Sequence, residues 1–301
     1  MSKESVITPL GGKITQSIGG LYHVSTPQGS YACRAKGLFR KDKLEPITGD
    51  LVEIEITHEG DREGFITQLH PRKNQLIRPK VANVDQAVLA FSITNPPINP
   101  DLLDRLIMLA EEQSLRVLIV LTKCDLATDP EIVALYRSVG YTVIETSATT
   151  GQGMAELHTH MNQPDVVSVF CGTSGVGKSS LTNFFYQDSE QVEQSVGRPL
   201  QAVGNISEKG KRGKHTTRSS KLIPLDQGYL VDSPGFSNVS FRFDKSQLAY
   251  YFIEFAPYLG QCRFGDCSHI NEPDCAVKAQ VGETITDTRY ERYKQFYQEL
   301  S

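Results

Sequence analysis

Residues 172–179, with the sequence GTSGVGKS, constrain the fold of this chain more than any other segment. They match the pattern G-x-x-x-x-G-K-[ST], and we predict a strand at 166–171 before them and a helix from residue 180 after them. In such a loop the glycines let backbone N–H groups surround phosphate oxygens, the lysine neutralises their charge, and the last hydroxyl binds Mg²⁺. The segment therefore predicts an α/β domain that binds a nucleotide. The predicted phosphate-binding residues are Gly172, Thr173, Ser174, Gly175, Val176, Gly177, Lys178, Ser179 and Ser180.

Two segments upstream of this loop predict recognition of guanine. Thr-Lys-Cys-Asp directly follows the apolar run 117–121 and resembles the N-K-x-D element of GTPases. The carboxylate of Asp125 can accept hydrogen bonds from guanine N1–H and N2–H₂, whereas adenine would leave this charge unpaired. Glu-Thr-Ser-Ala at 145–148 resembles the S-A element that supports the base edge. Because Thr122 stands where the first element usually has Asn, we expect a weaker tie between this loop and the phosphate loop. The predicted base-binding residues are Thr122, Lys123, Cys124, Asp125, Ser147 and Ala148.

The magnesium ligands are predicted from segments on the other side of the phosphate loop. Asp232-Ser-Pro-Gly235 follows a predicted strand and resembles the D-x-x-G element. In that element Asp232 would reach Mg²⁺ through water, and Gly235 would donate its N–H to the γ-phosphate. Upstream of it lies Gly-Lys-His-Thr-Thr, where a threonine hydroxyl could complete the Mg²⁺ shell. We favour Thr217 over Thr216, so Ser179 and Thr217 are the predicted magnesium ligands.

The catalytic step needs a group that orients the attacking water. Ras-type enzymes carry Gln directly after the D-x-x-G glycine, and this chain has Phe236 there, so we expect slow hydrolysis by the isolated protein. His215 lies close to the predicted magnesium threonine and can orient water; the alternative is a surface histidine that contacts RNA. We therefore predict Lys178, His215 and Thr217 as the catalytic residues.

Four residues near the end of the chain have the chemistry of a zinc site. Their spacing, Cys262-x4-Cys267-x-His269-x5-Cys275, supplies three thiolates and one imidazole. Four such ligands with no open position fit a closed, tetrahedral, structural Zn²⁺ site, and clustered cysteines in a cytosolic chain indicate metal binding before disulfides. The alternative is a set of unconnected core cysteines with a surface histidine.

Residues 12–70 show a different pattern. Five short predicted strands suggest a small β-barrel, with an OB-fold as the first choice and an SH3-like barrel as the alternative. Basic side chains between positions 34 and 43 form a local patch that would attract a phosphate backbone, and the alternative is a solvated loop. Tyr22, Tyr31 or Phe39 could stack on bases, although such aromatics are more often barrel core. The predicted strands lie at 13–18, 21–25, 31–35, 51–57 and 64–70.

Beyond residue 70 the pattern changes to strands that alternate with helices. Helices are predicted to begin at Asn99-Pro100 and at Asp129-Pro130. Such alternation indicates a parallel sheet with helices on both faces. After residue 241 we predict a helix capped by Asp244 and a final amphipathic helix. The predicted strands lie at 85–91, 117–121, 141–144, 166–171 and 229–231, and the apolar face of the final helix is predicted to be Tyr290, Tyr293, Tyr297 and Leu300.

The order of the nucleotide-binding elements is the most specific signal of a family. Most GTPases run from the phosphate loop through D-x-x-G to N-K-x-D and S-A, whereas here the base-reading elements come first, which is a circular permutation. Nearly the whole chain resembles the bacterial family called ribosome small subunit-dependent GTPase A. The resemblance is carried by this motif order, by the G-K-H-T-T segment and by the Cys/His spacing. The resemblance implies hydrolysis of GTP to GDP and phosphate with Mg²⁺, one structural Zn²⁺, and binding to the small ribosomal subunit and its 16S rRNA. It also implies stimulation by that subunit and a role in its late maturation.

The expected fold is therefore multidomain. We predict an N-terminal small β-barrel of the OB-fold type, a central α/β P-loop GTPase domain with circularly permuted motif order, and a C-terminal helical zinc-binding domain. The predicted boundaries are a tail at 1–11, the RNA-binding barrel at 12–70, the GTPase domain at 71–240 and the zinc-binding domain at 241–301.

Charge and hydropathy bear on the kind of partner and on the cellular location. The net charge is −4, so basic residues form local clusters, at 12–45 and 208–221, rather than an overall polycation. The apolar run 117–121 is far shorter than the roughly 20 residues of a membrane span, and the first residues lack the apolar stretch of a signal peptide. We therefore expect a cytoplasmic monomer without a membrane partner. Two alternatives stay open: a regulatory GTPase switch that acts on a protein partner, and a zinc-containing RNA-binding protein with a vestigial nucleotide site.

Overall fold

A computed structural model of the 301-residue chain describes residues 9–37, 39, 45–58, 60–195, 220–232, 241 and 243–300, with backbone alone for 187–195. The chain divides into two compact units. The first unit comprises Met1–Asp85, His158–Val169 and Ser179–Gly235, and the second comprises Gln86–Leu157, Phe170–Lys178 and Phe236–Ser301.

A five-stranded barrel begins the first unit. Its strands pair in the order β1-β2-β3-β5-β4, and an antiparallel pairing between β4 and β1 closes it. Apolar side chains alternate along the strands and fill its interior, including Ile14, Val24 and Ile66 at 0% exposure. The predicted small barrel is confirmed. Its strands are β1 (Leu10–Ile18), β2 (Leu21–Thr26), β3 (Gly29–Ala35), β4 (Leu51–His58) and β5 (Glu63–Leu69).

The predicted tail at 1–11 is wrong at its last two residues. Leu10 pairs with Ile54 and Gly11 pairs with Glu53, so the first barrel strand starts before position 12. Backbone hydrogen bonding to β4 extends this strand beyond the alternating segment that the sequence shows.

The rest of the first unit contains further strands and a long helix. Parallel pairing joins β11 to β13, and β12 runs antiparallel to β13. β12 had no sequence prediction; it also pairs with β1, where Lys221 lies opposite Gln16. The elements are β6 (Gln75–Leu76), β7 (Val81–Ala82), β11 (Val167–Cys171), β12 (Lys221–Pro224), β13 (Tyr229–Asp232) and helix α4 (Lys178–Ser195); β11 and α4 each run across the boundary between the units.

The second unit contains the alternating part of the chain. Its strands β8, β9 and β10 are parallel, as predicted, and pair in that order. The predicted helix starts are also confirmed: Asn99 accepts a hydrogen bond from Leu102 N, Asp129 accepts one from Ile132 N, and a proline follows each cap. The elements are β8 (Gln86–Ser92), α1 (Pro100–Glu112), β9 (Arg116–Thr122), α2 (Pro130–Val139), β10 (Thr142–Thr146) and α3 (Met154–Met161), which runs into the first unit.

The C-terminal part of the second unit is less regular than predicted. Asp244 does cap a helix, in a capping box with Gln247, but that helix is 3₁₀ and spans Lys245–Tyr251. Two more 3₁₀ helices follow, at Ile253–Tyr258 and Lys278–Gln280, before the final helix α5 (Asp287–Glu299). Pro257 lies inside the second 3₁₀ helix and has no N–H to donate, so a regular α-helix cannot continue there.

The buried face of α5 also differs from the prediction. Tyr290 and Tyr293 are buried as expected, but the face continues through Phe296, while Tyr297 and Leu300 are half-buried. The fully buried Arg289 completes this face. Among the described helices, none is long and apolar enough to span a membrane.

Candidate functional site

The phosphate-loop segment leaves β11 in a conformation that requires glycine. Gly172 has φ 137°, and a Cβ there would lie 2.1 Å from Ala90 O. Gly177 has φ 104°, in the region that other residues rarely adopt. Val176 is buried and anchors the loop, whereas Ser174 and Gly175 are exposed. The loop therefore presents its backbone outward, as a phosphate-binding loop must.

The Lys178 side chain folds back over this loop. Its Nζ donates to Gly172 O at 2.8 Å and to Thr173 O at 2.6 Å. An ammonium group has three N–H donors, so one remains for a phosphate oxygen. Burial lowers the pKa of Lys178, yet these two carbonyl dipoles still stabilise its charged form.

Thr122 makes the tie between the base-reading loop and the phosphate loop. Its Oγ1 lies 2.5 Å from Val176 O and 3.1 Å from Phe91 O, and Thr122 is 4% exposed. A hydroxyl has one proton to donate, so the shorter contact marks Val176 O as its acceptor. The tie that the sequence suggested would be weaker is thus present, made by a hydroxyl in place of an amide.

Lys123 makes a second link to the phosphate loop. Its Nζ donates to Gly175 O at 2.8 Å and to Asn95 O at 2.5 Å, and its backbone has φ 60°. Cys124 N donates to Thr146 O at 3.1 Å, which joins this loop to the end of β10. Burial raises the pKa of the Cys124 thiol, so it stays neutral and serves as a small spacer.

The second base-reading segment forms a closed turn. Ser147 is 1% exposed; its backbone N donates to Gln152 O at 3.0 Å, and its Oγ accepts from Thr150 N at 3.1 Å. Ala148 and Asp125 are both exposed. The structure therefore brings the two base-reading segments together and leaves a carboxylate and a small side chain open to a ligand.

Two residues predicted to act on Mg²⁺ lie in the first unit: the ligand Ser179, and Asp232, which was predicted to reach the ion through water. Ser179 is exposed in the first turn of α4, next to the exposed phosphate-loop residue Ser180, and Asp232 is exposed at the end of β13. A hydroxyl and a carboxylate are the hard oxygen donors that Mg²⁺ prefers, so these residues fit the ion. The remaining predicted residues, His215, Thr216, Thr217, Gly235 and Phe236, lie outside the described residues.

Sequence reasoning missed one residue here. Tyr186 OH donates to Asp232 Oδ2 at 3.0 Å. The sequence does contain one indication of this residue: Tyr186 follows Ser179 by seven residues, a spacing that places both side chains on one face of a helix.

The four predicted zinc ligands lie together in the second unit. Cys262 Sγ is 3.8 Å from Cys275 Sγ, and His269 Nδ1 is 3.4 Å from Cys275 Sγ and 3.5 Å from Cys262 Sγ. With Cys267 Sγ, all four ligand atoms lie within 4.8 Å of one another, and every cysteine is a free thiol. Ligands at about 2.3 Å from a tetrahedral zinc would be about 3.8 Å apart, so three thiols and one imidazole fit Zn²⁺.

Helix α5 supports the loop that carries these ligands. Tyr290 OH donates to His269 O at 2.7 Å, and Tyr293 OH donates to Ser268 O at 2.7 Å. Burial raises the pKa of Glu272, but hydrogen bonds from the Ser268 hydroxyl and from nearby backbone N–H groups outweigh it and lower the pKa to about 2. The two tyrosines, expected only to pack, therefore also hold the zinc loop.

The candidate RNA-contacting residues of the barrel divide into two groups. Tyr22 and Tyr31 are 6% and 4% exposed in the barrel core, so the suggestion that they stack on bases is wrong. Phe39 packs partly against that core. Arg34 is exposed, whereas Lys36 pairs with Glu55 at 2.5 Å. Arg40, Lys41, Lys43 and the basic residues at 209–218 lie outside the described residues.

The fold and these loops together define a class of protein. A phosphate loop between a strand and a helix, with guanine-reading segments that precede it in the sequence, is the arrangement of a circularly permuted GTPase. The crystal structure of YloQ, a circularly permuted GTPase, matches with a TM-score of 0.80 at 32% identity, over 100% of this chain and 98% of that one. YjeQ from Thermotoga maritima matches with a TM-score of 0.79 at 31% identity, over 97% and 99%.

The family follows from the sequence comparisons. The RsgA GTPase model matches residues 69–242, and the RsgA N-terminal domain model matches residues 11–66. The small ribosomal subunit biogenesis GTPase RsgA of Caldanaerobacter subterraneus subsp. tengcongensis is 43% identical over 294 residues, 96% of this chain and 95% of that protein. That of Alkaliphilus metalliredigens is 41% identical over 295 residues, 96% and 97%. The chain belongs to the RsgA GTPase family, and it is a GTP-hydrolysing enzyme.

Proposed function

We propose that this protein is an assembly factor of the small ribosomal subunit that hydrolyses GTP. It binds that subunit through the 16S rRNA, acts in late maturation in the cytoplasm, and is stimulated by the subunit. The supporting observation is the 43% identity, over 96% of the chain, to a relative named for biogenesis of the small ribosomal subunit.

The proposed nucleotide site uses the predicted residues. The phosphate loop, from Gly172 to Ser180, holds the phosphates with Lys178, and the segments 122–125 and 147–148 hold the guanine. The hydrogen bonds from Thr122 and Lys123 to the phosphate loop support this assignment, because they fix the two loops to each other. Gly235 would donate its N–H to the γ-phosphate.

Mg²⁺ would be held by the hydroxyls of Ser179 and Thr217 and, through water, by Asp232. The ion neutralises charge on the β- and γ-phosphates when it is bound. Lys178 contributes its remaining N–H to the same phosphates, and His215 orients the attacking water, which Phe236 cannot do. One Zn²⁺, held by Cys262, Cys267, His269 and Cys275, has a structural role because all four ligand positions are filled by protein.

We propose a separate role for each predicted domain. The barrel, which begins at Leu10 and extends to about residue 70, contacts rRNA. The GTPase domain at 71–240 binds and hydrolyses GTP, and the zinc-binding domain at 241–301 is helical. The exposed Arg34 on the barrel supports an RNA contact, since phosphates attract solvent-exposed cations. We propose that the protein acts as a monomer.

Steady-state GTP turnover tests this function. Turnover would be measured for the protein alone, with purified small subunits and with purified large subunits. We expect slow turnover alone and strong stimulation by the small subunit only, because Phe236 cannot orient the attacking water and fast hydrolysis then needs the bound partner to complete the site. Lys178→Ala should abolish turnover under all three conditions.

The variant His215→Ala separates binding from catalysis. It should bind the small subunit as wild type does, in a sedimentation assay, and lose the stimulated turnover. Full stimulated turnover in this variant would show that His215 is not catalytic. Stimulation by neither subunit, with GTP still bound, would favour a GTPase switch with a protein partner, and no hydrolysis under any condition would favour a vestigial nucleotide site.

A further inference from the structure

A tyrosine of α4 contacts the carboxylate that the D-x-x-G element contributes. Tyr186 OH donates to Asp232 Oδ2 at 3.0 Å, and both residues belong to the first unit. A phenol keeps its proton at neutral pH, so Tyr186 remains a hydrogen-bond donor to Asp232.

The helix geometry directs this hydroxyl toward the predicted magnesium ligand. Tyr186 follows Ser179 by seven residues. Seven residues rotate a helix by about 700°, which is about 20° short of two full turns, so both residues lie on the same face of α4. Their Cα atoms are roughly 10 Å apart along the axis at 1.5 Å per residue. Long helical side chains tend to lean toward the helix N-terminus, which is the end of α4 that carries Ser179.

The opposite face of the helix is anchored in the core. Leu181 is 1% exposed and Phe185 is 0% exposed. These two contacts fix the rotation of α4, so Ser179 and Tyr186 must point away from that core. The Asp232 carboxylate meets this outer face through its bond to the tyrosine.

We propose that Tyr186 is a positioning residue for magnesium: its hydroxyl holds the Asp232 carboxylate in the orientation that accepts a hydrogen bond from a metal-bound water. This inference rests on the proposed role of Asp232 in the nucleotide site. An ionised carboxylate offers about four acceptor positions, so the single hydrogen bond from the tyrosine does not exhaust its capacity to accept one from water. Loss of a hydrogen-bond partner of a metal ligand typically changes metal affinity 10–100-fold, and because Tyr186 acts through Asp232 and its water we expect the lower end of this range.

The test compares release of a fluorescent GDP analogue with millimolar Mg²⁺ and with EDTA. The ratio of the two dissociation rates measures how much Mg²⁺ holds the nucleotide, independently of hydrolysis. We expect Tyr186→Phe to reduce this ratio by roughly tenfold and to leave the rate in EDTA unchanged. Half-saturation by Mg²⁺ in the same assay should shift to roughly tenfold higher concentration.

Two further variants make the result specific. Tyr258→Phe is the matched control, because its hydroxyl shares a 2.7 Å hydrogen bond with Thr284, a residue with no proposed role in nucleotide or magnesium binding. It should leave the Mg²⁺ ratio at the wild-type value. Asp232→Asn should reduce the ratio by itself, and adding Tyr186→Phe to it should have no further effect, since the tyrosine acts through the carboxylate.

The outcomes distinguish the inference from the function on which it rests. A normal ratio in Tyr186→Phe together with a reduced ratio in Asp232→Asn would overturn the role of the tyrosine alone. Normal ratios in both variants would overturn the magnesium role of Asp232, and the inference with it. A larger ratio in Tyr186→Phe would mean that the tyrosine holds Asp232 away from the metal, which also contradicts the proposal.

Discussion

Replacing Arg289 with Met is expected to destabilise the second unit by about 3–5 kcal/mol. The Arg289 side chain has 0% exposure. Its Nη1 donates to Asp104 Oδ1 at 2.6 Å, and its Nε donates to Glu254 Oε1 at 2.7 Å. Methionine is also long and unbranched, so Arg289→Met keeps much of the packing and removes the cation that both carboxylates share.

The size of this loss of stability follows from the two buried carboxylates that remain after the substitution. The side chains of Asp104 and Glu254 are 2% and 4% exposed, so water cannot replace the guanidinium. Removing one member of a buried ion pair costs about 3–5 kcal/mol because the other charge stays desolvated. Tyr136 OH still donates to Asp104 Oδ1 at 2.9 Å and Arg292 Nε still donates to Asp104 Oδ2 at 3.3 Å, so Glu254 is the carboxylate that loses more, and a larger loss is not expected. For a unit of this size the loss lowers Tm by roughly 6–20 °C.

Hydrogen exchange would locate the opening that this loss causes. Asp104 lies in α1, Glu254 lies in the 3₁₀ helix Ile253–Tyr258, and Arg289 lies in α5, so the cluster joins three elements that are distant in sequence. We expect α5 and the 3₁₀ helix to exchange faster in Arg289→Met, before the strands β8–β10 do. Thermal unfolding followed by circular dichroism gives the accompanying change in Tm.

Lys294→Met is the matched control, because it removes a cation from the same helix. Lys294 Nζ lies 2.6 Å from Glu291 Oε1, and the Glu291 side chain is 67% exposed. Such an exposed pair contributes about 0–1 kcal/mol. If the Tm values of Arg289→Met and Lys294→Met agreed within about 2 °C, the reasoning would be refuted, since 1 kcal/mol shifts Tm by roughly that much.

Thr122→Val removes the donor to Val176 O and leaves a buried carbonyl unpaired, so we expect fluorescent GDP to bind about tenfold more weakly. Thr122→Ser keeps the hydroxyl and should bind GDP as wild type does; equal affinity in the Val variant would contradict the role of this bond. Native mass spectrometry should find one Zn²⁺ per chain, lost in Cys275→Ala together with faster proteolysis near the ligands, because metal binding and local folding are coupled. Cys33→Ala, which changes a thiol of the barrel core, should keep the metal, and an unchanged zinc content in Cys275→Ala would rule out that residue as a ligand.

The sequence predicted those features that local chemistry decides. Asn99 and Asp129 begin their helices because a short polar side chain and a following proline satisfy a helix start without a tertiary partner. The phosphate loop could be predicted in the same way, since its glycines and lysine lie close together in the sequence. Closure of the barrel followed from five short alternating strands.

Features that depend on distant partners could not be predicted in this way. Arg289 is charged and its neighbours in α5 do not neutralise it; its burial depends on Asp104, 185 positions away along the chain. β12 has only four residues and ends on Pro224, so its pairing with Gln16 had no local signal. The contact of Tyr186 with Asp232 likewise joins a helix to a strand. The helical spacing shows which face of the helix carries Tyr186, but it does not show that Asp232 is the partner.

Circular permutation leaves the base-reading loops intact because their position depends on strand ends and not on chain order. In the second unit, the register of the parallel strands places Ser92 beside Thr122 and Thr122 beside Thr146. The loops that follow β8, β9 and β10 therefore leave the sheet at one edge, as ligand-binding loops of parallel sheets do. Cys124 N bonds to Thr146 O across that edge. Moving the chain termini elsewhere changes which motif comes first in the sequence and leaves these contacts unchanged, so the rotated order is compatible with the same guanine chemistry.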